Sequence, residues 1–576
     1  MRVLLLCSAF NGLSQRLHRE LAQMRCELTV QLATDEASIE RAVGEFCPDL
    51  IICPFLKHRV PESVWRRIPC LIVHPGIEGD RGPSSLDWAI QNGLQEWGVT
   101  LLQANEEMDA GDIWGTRTFK IRPGASKSSL YRREVSDDAV ELVKYAIAAK
   151  GDPLFSPRPL VPASAPGRLL PGMTQADRQI DWENDSTEVV LRKMRAADSL
   201  PGIRETISGK TVYLFGAVEE HTWRGSPGQF FLQADRRLCR ATADGAVWIS
   251  HAKLQDGFKL PAGDVILPLL DYPVDTVDTT PEYIRDIRVE IINRVGYLYF
   301  SFHGGAMSTR QCQELLSAYR QLQDSDIDVI CLMGGEEFWS NGIHLNIIEA
   351  AEDPAEESWA NINAIDDLVE SIITTEGKLT VAALRSNAGA GGAMMALACD
   401  VVAIRRGVVI NPHYKTMGLF GSEYWTYLLP ARVGARKARE YTENCLPVLA
   451  EEALSDGYAD YLLSEDREVY RRELIALCEE LRVEGGFTRK LAMKSARRAQ
   501  DEQNRPLSEY RKDELQKMQQ IFFDPGAEYH RARKAFVYKQ CAKCTPAYLQ
   551  KKVTSTTIPH EESADLTVLA EELLPA

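Results

Sequence analysis

The chain has 576 residues, of which 45% are hydrophobic and 26% charged, and its formal net charge at pH 7 is −16. This length and hydrophobic share predict several globular domains, each with its own core, and exclude a disordered chain. The acidic balance argues against broad nucleic-acid binding, because neutralising phosphates needs a surplus of lysine and arginine.

Cysteine usage and hydropathy indicate the compartment. The thirteen cysteines are irregularly spaced, and an odd number leaves one unpaired, which fits reduced thiols in the cytoplasm. Cys541 and Cys544 form a single Cys-x-x-Cys without a second pair, so no metal site is predicted there. No apolar stretch approaches the roughly 20 residues that cross a bilayer, so no membrane contact is expected.

Short apolar runs alternate with amphipathic helical patterns at the start of the chain. The predicted strands are 3–6, 28–32 and 50–52, with helices at 13–24 and near Ile39. This βαβαβ order predicts a doubly wound α/β domain with a parallel sheet, over residues 1–155.

A connector rich in proline, glycine, alanine and serine, about 156–172, precedes a smaller predicted unit. A small β domain, a barrel or sandwich, is predicted over residues 172–260 from β-type runs at 211–214, 229–232 and 246–249.

A second linker, 261–281, is rich in aspartate, threonine and proline. After it the α/β alternation restarts, and a second α/β domain is predicted over residues 285–465. Residues 466–553 form a predicted C-terminal helical region.

The first candidate site begins with Val73-His74-Pro75-Gly76. Because an apolar run precedes it, His74 is predicted at the carboxyl end of a buried strand, where open α/β sheets bind ligands. Three further segments continue the pattern: Arg81-Gly82-Pro83-Ser84-Ser85-Leu86-Asp87-Trp88-Ala89-Ile90, Gly98-Val99-Thr100 and Met108-Asp109-Ala110-Gly111-Asp112-Ile113.

In order and spacing these segments resemble the folate-dependent formyltransferase family, whose catalytic region reads N-x-H-P-S, R-G-x-x-P-x-x-W-A-I, G-V-T and M-D-x-G-D-I. The resemblance covers residues 1–260, since Ile180-Asp181-Trp182 and the segment 195–202 are similar to the family's second domain. It implies 10-formyl-tetrahydrofolate as a substrate. It also implies that His74 neutralises the oxyanion, and that Asp109 keeps the imidazole charged and relays protons.

By the same resemblance Lys57, Arg81 and Gly82 contact the folate, although a surface lysine explains Lys57 equally well. The chain departs from the family at Ile72, which replaces the asparagine two residues before His74. Losing such a hydrogen-bond donor can cost on the order of 10²–10³ in rate. Either another group replaces the donor or a thiol acceptor needs less help, and a domain that binds folate without reacting stays an alternative.

Two glycine clusters lie about fifty residues apart in the second α/β domain. They are Gly335-Glu336-Glu337-Phe338-Trp339-Ser340-Asn341-Gly342-Ile343-His344-Leu345-Asn346 and Asn387-Ala388-Gly389-Ala390-Gly391-Gly392-Ala393-Met394-Met395-Ala396-Leu397-Ala398-Cys399-Asp400. They resemble the crotonase (enoyl-CoA hydratase/isomerase) motifs G-x-x-F-x-A-G-A-D-L and A-x-G-G-G-x-E-L-A-x-x-C-D. The resemblance implies coenzyme A as the cofactor, bound near Ile343, Gly391 and Gly392, with the backbone N–H groups of Ile343 and Gly391 as oxyanion donors. Tight helix packing is the other explanation for the small residues.

The two glutamates that hydratases of this superfamily use are replaced here by Met394 and Tyr414, so hydration is not expected. Glu423 follows at a short distance, and Tyr414 and Glu423 are the candidate proton-handling groups. The alternatives are a packing role for Tyr414 and a surface helix position for Glu423. His344 and His413 are interpreted as structural.

Taken together, the two halves resemble the [NiFe] hydrogenase maturation factors that combine them. This resemblance implies that formyl passes from 10-formyl-tetrahydrofolate to coenzyme A and that formyl-CoA then releases carbon monoxide as a ligand for the hydrogenase iron, with hydrogenase maturation proteins as partners. Three alternatives stay open: hydrolysis of formyl-CoA to formate, a conventional isomerase with an inert folate domain, which Met394 disfavours, and a scaffold. The helical tail, about 486–549, could form trimer contacts or fold back and close a channel between the two sites.

Overall fold

The chain forms four β-sheets in this computed structural model, which describes residues 1–162, 164–483 and 485–550. We refer to residues 1–150 as the N-terminal unit, 172–276 as the middle unit, 287–463 as the C-terminal unit and 467–550 as the tail. No helix within the described ranges is long and apolar enough to cross a membrane.

The N-terminal unit has a six-stranded sheet in the order β2-β1-β3-β4-β5-β6. Its elements are β1 (Arg2–Cys7), α1 (Gly12–Gln23), β2 (Glu27–Leu32), α2 (Glu36–Phe46), β3 (Leu50–Cys53), α3 (Glu62–Trp65), β4 (Cys70–His74), α4 (Ser85–Gln91), β5 (Glu96–Gln103), β6 (Ile113–Lys120), α5 (Lys127–Leu130) and α6 (Ser136–Lys150). The first four strands in this order are parallel, as predicted, whereas β5 runs antiparallel to both of its neighbours, β4 and β6, and makes the sheet mixed.

The buried strands of this sheet explain the apolar runs in the sequence. Every residue of β3 is buried, because helices cover both faces of the parallel part. Helix α1 covers one face with Leu13, Leu17 and Leu21, which recur at helical spacing. Its N-terminus is capped by the Asn11 side chain, which accepts a hydrogen bond from the Ser14 N–H at 3.0 Å.

The middle unit has one sheet in the order β13-β9-β10-β11-β8-β7, with β12 paired to β11. Its elements are α7 (Gln175–Arg178), α8 (Thr187–Ala196), β7 (Ile203–Ile207), β8 (Lys210–Glu219), β9 (Phe230–Ala234), β10 (Arg237–Ala241), β11 (Ala246–Leu254), β12 (Leu260–Pro261), α9 (Ala262–Ile266) and β13 (Asp275–Thr276). The three strands expected from the sequence overlap β8, β9 and β11.

The C-terminal unit has two sheets, β14-β15-β16-β18-β20-β23 and β17-β19-β21-β22. Its elements are β14 (Ile287–Ile292), β15 (Val295–Phe300), α10 (Thr309–Asp324), β16 (Val329–Leu332), β17 (Phe338–Ser340), α11 (Leu345–Ala350), α12 (Pro354–Ile373), β18 (Leu379–Leu384), β19 (Asn387–Gly389), α13 (Ala390–Ala396), β20 (Val401–Arg405), β21 (Val409–Asn411), α14 (Trp425–Asn444), β22 (Val448–Leu449), α15 (Ala450–Ser455) and β23 (Tyr461–Leu463). The smaller sheet brings both glycine clusters together, because β17 and β19 are adjacent and parallel.

The tail consists of α16 (Arg467–Leu481), α17 (Gly486–Asn504), α18 (Leu507–Phe523), α19 (Glu528–Val537) and a final 3₁₀ turn at Ala547–Leu549. It folds back over the chain. Tyr529 shares a buried hydrogen bond with Ser358 at 2.8 Å. Further on, the Thr545 hydroxyl accepts the Leu32 N–H at 2.8 Å, and Leu549 joins the core of the N-terminal unit. Residues 551–553 of the predicted helical region lie outside the described residues.

Ion pairs join the N-terminal unit to the C-terminal unit. Arg133 pairs with Glu336 at 2.9 Å, and its neighbour Arg132 pairs with Glu337. The Arg132 guanidinium also lies 4.8 Å from the centre of the Phe338 ring. The two units therefore meet at the first residue of β17, the strand that leads to the first glycine cluster.

Candidate active sites

His74 lies between two carboxylates at the carboxyl end of β4. Its side chain is buried, with Nε2 2.8 Å from Asp80 Oδ2 and Nδ1 3.5 Å from Asp109 Oδ2. The structure thus brings the two predicted residues, His74 and Asp109, together and adds Asp80, which the sequence analysis did not single out.

The backbone around Asp109 holds its carboxylate toward His74. Asp109 has a φ of 54°, in the left-handed region that L residues seldom adopt, in the loop between β5 and β6. Its Oδ2 accepts a hydrogen bond from the Gly82 N–H at 3.2 Å. Gly82 is therefore part of the site through its backbone, while the Arg81 side chain turns to Glu107 at 2.9 Å.

A cavity of about 1020 Å³ opens in front of His74 and Asp109. Lys57, Ile72 and Gly82 also line it, whereas Asp80 and Arg81 do not. Of the predicted folate contacts, Lys57 and Gly82 thus face the cavity. The Lys57 side chain is exposed at its rim, with its ammonium group 5.5 Å from the centre of the Phe55 ring.

The same cavity extends to the C-terminal unit. Its wall there includes Glu337, Phe338, Ser386 and Asn387, so it reaches the first residues of β17 and β19. Several cationic side chains also line it: Arg16, Lys127, Arg132, Arg133, Arg405 and Arg467. Carboxylates also line the cavity and pair with several of these cations, as Asp137 does with Arg16 at 2.7 Å, so it is the size of the cavity that suits a large ligand.

The second candidate site lies beyond the carboxyl ends of β17 and β19. A Cβ atom on Gly342, which has a φ of 77°, would come within 3.2 Å of the Gly391 nitrogen, and one on Gly392 would collide with the Ser340 carbonyl. The glycines thus allow the two predicted oxyanion donors, Ile343 and Gly391, to approach each other. Within residues 1–162, 164–483 and 485–550, the N–H of Ile343 has no hydrogen-bond acceptor.

Tyr414 and Glu423 face this second site. The Tyr414 hydroxyl donates to Glu423 Oε2 at 2.7 Å, and Glu423 is 1% exposed, so its predicted alternative as a surface helix acid is wrong. A Cβ atom on Gly391 would collide with Glu423 Oε1, which places this carboxylate beside one oxyanion donor. Tyr414 also packs against Gly421, so its packing and hydrogen-bonding roles coincide.

Asp366 supports Glu423 from α12 and was missed by the sequence analysis. Its carboxylate accepts the Glu423 N–H at 2.9 Å and the Ser422 hydroxyl at 2.7 Å. These bonds hold a turn in which Glu423 has a φ of 63°. A signal was present in the sequence, because Asp366 falls on the apolar stripe of α12 with Ile362 and Val369.

Burial decides the charge of these acids. Burial, and to a smaller extent the neighbouring charge of Asp366, together raise the pKa of Glu423 to about 8. Burial also raises the pKa of Asp366 to about 6, against the opposing effect of the Ser422 hydrogen bond. Glu423 is therefore mostly protonated at neutral pH, and its carboxylate form becomes abundant just above it.

This raised pKa predicts a pH-dependent stability difference between the wild type and Glu423→Gln. Between pH 4.5 and about 8 the unfolded chain loses the Glu423 proton while the folded chain keeps it, so the stability of the wild type falls as pH rises. Because glutamine does not ionise, the stability of Glu423→Gln does not fall in this way as the pH rises. From pH 5 to pH 9 its advantage in unfolding free energy, measured in urea titrations, should grow by about 4 kcal/mol. Glu352→Gln, at an exposed position, should show no such trend.

Other polar candidates have structural partners. His344 caps α11 by accepting the Ile347 N–H at 3.3 Å, and His413 Nδ1 lies 2.6 Å from the Asn411 carbonyl.

Cys541 and Cys544 are exposed free thiols. Across the described ranges, no group of three or more histidine, cysteine, aspartate or glutamate side chains could hold a metal ion.

Comparison with protein families matches three models along the chain. Residues 18–145 match "Formyl transferase", residues 172–267 match "Formyl transferase, C-terminal domain", and residues 303–543 match "Enoyl-CoA hydratase/isomerase". Together with the sheets, these matches confirm the predicted fold class: a formyltransferase-like α/β half and a crotonase-like half.

Individual relatives extend the comparison to the whole chain. The hydrogenase maturation factor HoxX of Bradyrhizobium diazoefficiens is 44% identical over 95% of this chain and 96% of its own length. A methionyl-tRNA formyltransferase of Citrifermentans bemidjiense is 27% identical over 40% of this chain and 71% of its own. The crystal structure of HypX from Aquifex aeolicus in complex with tetrahydrofolic acid superposes with a TM-score of 0.91 and 41% identity, covering 97% of this chain and all of that one.

Proposed function

The chain belongs to the HoxX/HypX family of hydrogenase maturation factors, and on this premise we propose that it makes carbon monoxide for [NiFe] hydrogenase maturation in two steps. First, formyl passes from 10-formyl-tetrahydrofolate to the thiol of coenzyme A. Second, formyl-CoA releases carbon monoxide and free coenzyme A. The gas would become a ligand of the hydrogenase iron, and hydrogenase maturation proteins would be the partners that receive it.

In the first step, the coenzyme A sulfur attacks the formyl carbon, which builds negative charge on the formyl oxygen. His74 Nδ1 neutralises this oxygen, and Asp109 takes the thiol proton and passes it to N10 of the folate as the carbon–nitrogen bond breaks. The products are tetrahydrofolate and formyl-CoA. The cavity that both side chains line supports these roles, because folate and thiol can meet there.

The single observation that carries the proposal is the continuity of this cavity. Its wall runs from His74 and Asp109 to Phe338 and Asn387, the first residues of the strands that lead to Ile343 and Gly391. Coenzyme A bound in this cavity can thus present its thiol to the folate, and its thioester then moves beyond Phe338 and Asn387 to the second site, whose residues Ile343, Gly391 and Glu423 do not line the cavity. Lys57 and Arg59 line the cavity outside any ion pair of the described residues and can bind its phosphates.

In the second step, the thioester oxygen accepts hydrogen bonds from the N–H groups of Ile343 and Gly391. A formyl thioester has no α-carbon, so the enolate chemistry typical of crotonases is closed to it. Glu423, assisted by Tyr414, removes the hydrogen of the formyl carbon as a proton. The carbon–sulfur bond breaks, carbon monoxide leaves, and the proton returns to the thiolate to give coenzyme A.

Labelled substrate tests this function directly. We expect 10-[¹³C]formyl-tetrahydrofolate and coenzyme A to give ¹³C-labelled carbon monoxide, trapped in the headspace by reduced haemoglobin, only when both substrates are present. Labelled formate in place of the gas would instead establish hydrolysis of formyl-CoA. Binding of both substrates without either product would indicate a scaffold.

A further inference from the structure

We propose that Asp80 is a positioning residue of the formyl-transfer site, which fixes the orientation of His74 and so compensates for the amide donor lost at position 72. This inference rests on the proposed formyl transfer at His74. The formyltransferase pattern supplies an asparagine two residues before the histidine, and this chain has Ile72 there. Because alternate residues of a strand share one face, Ile72 and His74 both line the cavity, so the oxyanion has one donor fewer on that wall.

The contact between Asp80 and His74 is short and shielded. Asp80 Oδ2 lies 2.8 Å from His74 Nε2, and the side chain of Asp80 is 1% exposed. The turn that begins at Ile77 brings Asp80 back over the histidine, with the Asp80 N–H donating to the Ile77 carbonyl at 2.9 Å. Gly167 covers this turn from the connector between the units and donates to the Glu78 carbonyl at 2.9 Å.

The position of Asp80 leaves one ring nitrogen for the substrate. Asp80 contacts Nε2 from behind, outside the cavity, whereas Nδ1 faces the cavity beside Asp109 at the longer distance of 3.5 Å. The formyl oxygen can therefore approach Nδ1. Asp80 fixes the orientation of the ring, and Asp109 stays available to move the thiol proton.

Charge supports the same role. No lysine or arginine in the described part of the chain forms an ion pair with Asp80. A buried carboxylate without a cationic partner is strongly unfavourable, so the contact with His74 Nε2 is what stabilises Asp80 in this position. A ring held in one orientation presents Nδ1 to the formyl oxygen in a fixed geometry, which offsets the missing amide.

Gly76 is a second, independent observation. The family pattern places a serine at this position, two residues after the histidine, and this chain has glycine. A Cβ atom at position 76 would collide with both Asp80 Oδ2 and His74 Nε2, the two atoms that meet in this contact. The absence of a side chain at position 76 thus makes room for the Asp80–His74 pair.

The test measures release of tetrahydrofolate from 10-formyl-tetrahydrofolate in the presence of coenzyme A. Asp80→Asn should lower kcat about 10²-fold or more, because the ring loses the carboxylate that fixes its orientation, while the KM for the folate stays within about threefold of the wild type. Gly76→Ser should lower kcat as well without removing any ionisable group. Asp138→Asn, which alters a carboxylate outside the cavity that pairs with Arg117, is the matched control and should react at the wild-type rate.

A double variant separates positioning from a general structural effect. If Asp80 acts through His74, Asp80→Asn combined with His74→Ala should be no slower than His74→Ala alone. Adding Ile72→Asn to Asp80→Asn should recover part of the lost rate, because it restores an amide on the cavity wall.

Three results would overturn the inference: a wild-type rate for Asp80→Asn, a double variant much slower than His74→Ala, or no recovery with Ile72→Asn. Failure of the proposed function looks different. In that case His74→Ala itself would keep the wild-type rate.

Discussion

Glu423→Gln should stop carbon monoxide release while formyl-CoA accumulates. The carboxylate is the buried group beside Gly391, and it is the nearest base to a thioester held by Ile343 and Gly391. General acid–base groups contribute about 10²–10⁴-fold, so release from synthetic formyl-CoA should fall by this factor. Tyr414→Phe should reduce release in the same direction, because its hydroxyl donates to Glu423 at 2.7 Å.

The pH profile identifies the acting group. A base must be ionised, so carbon monoxide release by the wild type should rise with pH and level off above about 8, where burial places the pKa of Glu423. Asp366→Asn removes a nearby negative charge and should move this rise to lower pH. Its amide oxygen can still accept from the Glu423 N–H, which preserves the turn.

Gas release by both the Glu423→Gln and the Tyr414→Phe variant at the wild-type rate would contradict these roles, since thioester positioning alone would then suffice. Glu352→Gln serves again as the control with unchanged release. Supplying synthetic formyl-CoA keeps the measurement independent of the folate half.

His74→Ala and Asp109→Asn should each abolish formation of formyl-CoA from 10-formyl-tetrahydrofolate and coenzyme A. Loss of the oxyanion partner or of the proton relay removes about 10²–10⁴-fold of rate at each position. Both variants should still bind coenzyme A and should convert supplied formyl-CoA to carbon monoxide, because Glu423 and the oxyanion donors are unchanged.

Chromatography of the thioester products and headspace analysis of the gas measure the two steps separately. Formyl-CoA synthesis at the wild-type rate by either variant would show that the transfer site is assigned to the wrong residue. Loss of gas from supplied formyl-CoA would show instead that the two steps share catalytic groups.

The sequence predicted the strands of the N-terminal sheet through β3 because their apolar runs are continuous, as expected for strands covered on both faces. It did not predict that β5 would run antiparallel to β4 and β6, since strand direction depends on connections that periodicity does not encode. The glycine clusters located Ile343 and Gly391 because close backbone approach demands glycine at fixed positions.

The two supporting carboxylates could not be found in the same way. Asp80 acts through a turn that returns it to His74, and no spacing rule links a turn residue to a strand residue. Asp366 is far from Glu423 in sequence, and only the packing of α12 against the turn at Ser422 brings them together. Side chains that position others depend on tertiary contacts, whereas residues in backbone-constrained motifs leave a local signature.

The return of the tail to β2 has a consequence for biosynthesis. β2 is the edge of its sheet, and the hydroxyl that covers its Leu32 N–H belongs to a residue 513 positions later. At the usual rate of about 5–20 residues per second, the ribosome needs roughly 25–100 s to make that stretch. During this interval the nascent chain presents an open strand edge, the feature that promotes pairing between chains. The edge of the first sheet that the ribosome makes is thus covered only after Thr545 has been added.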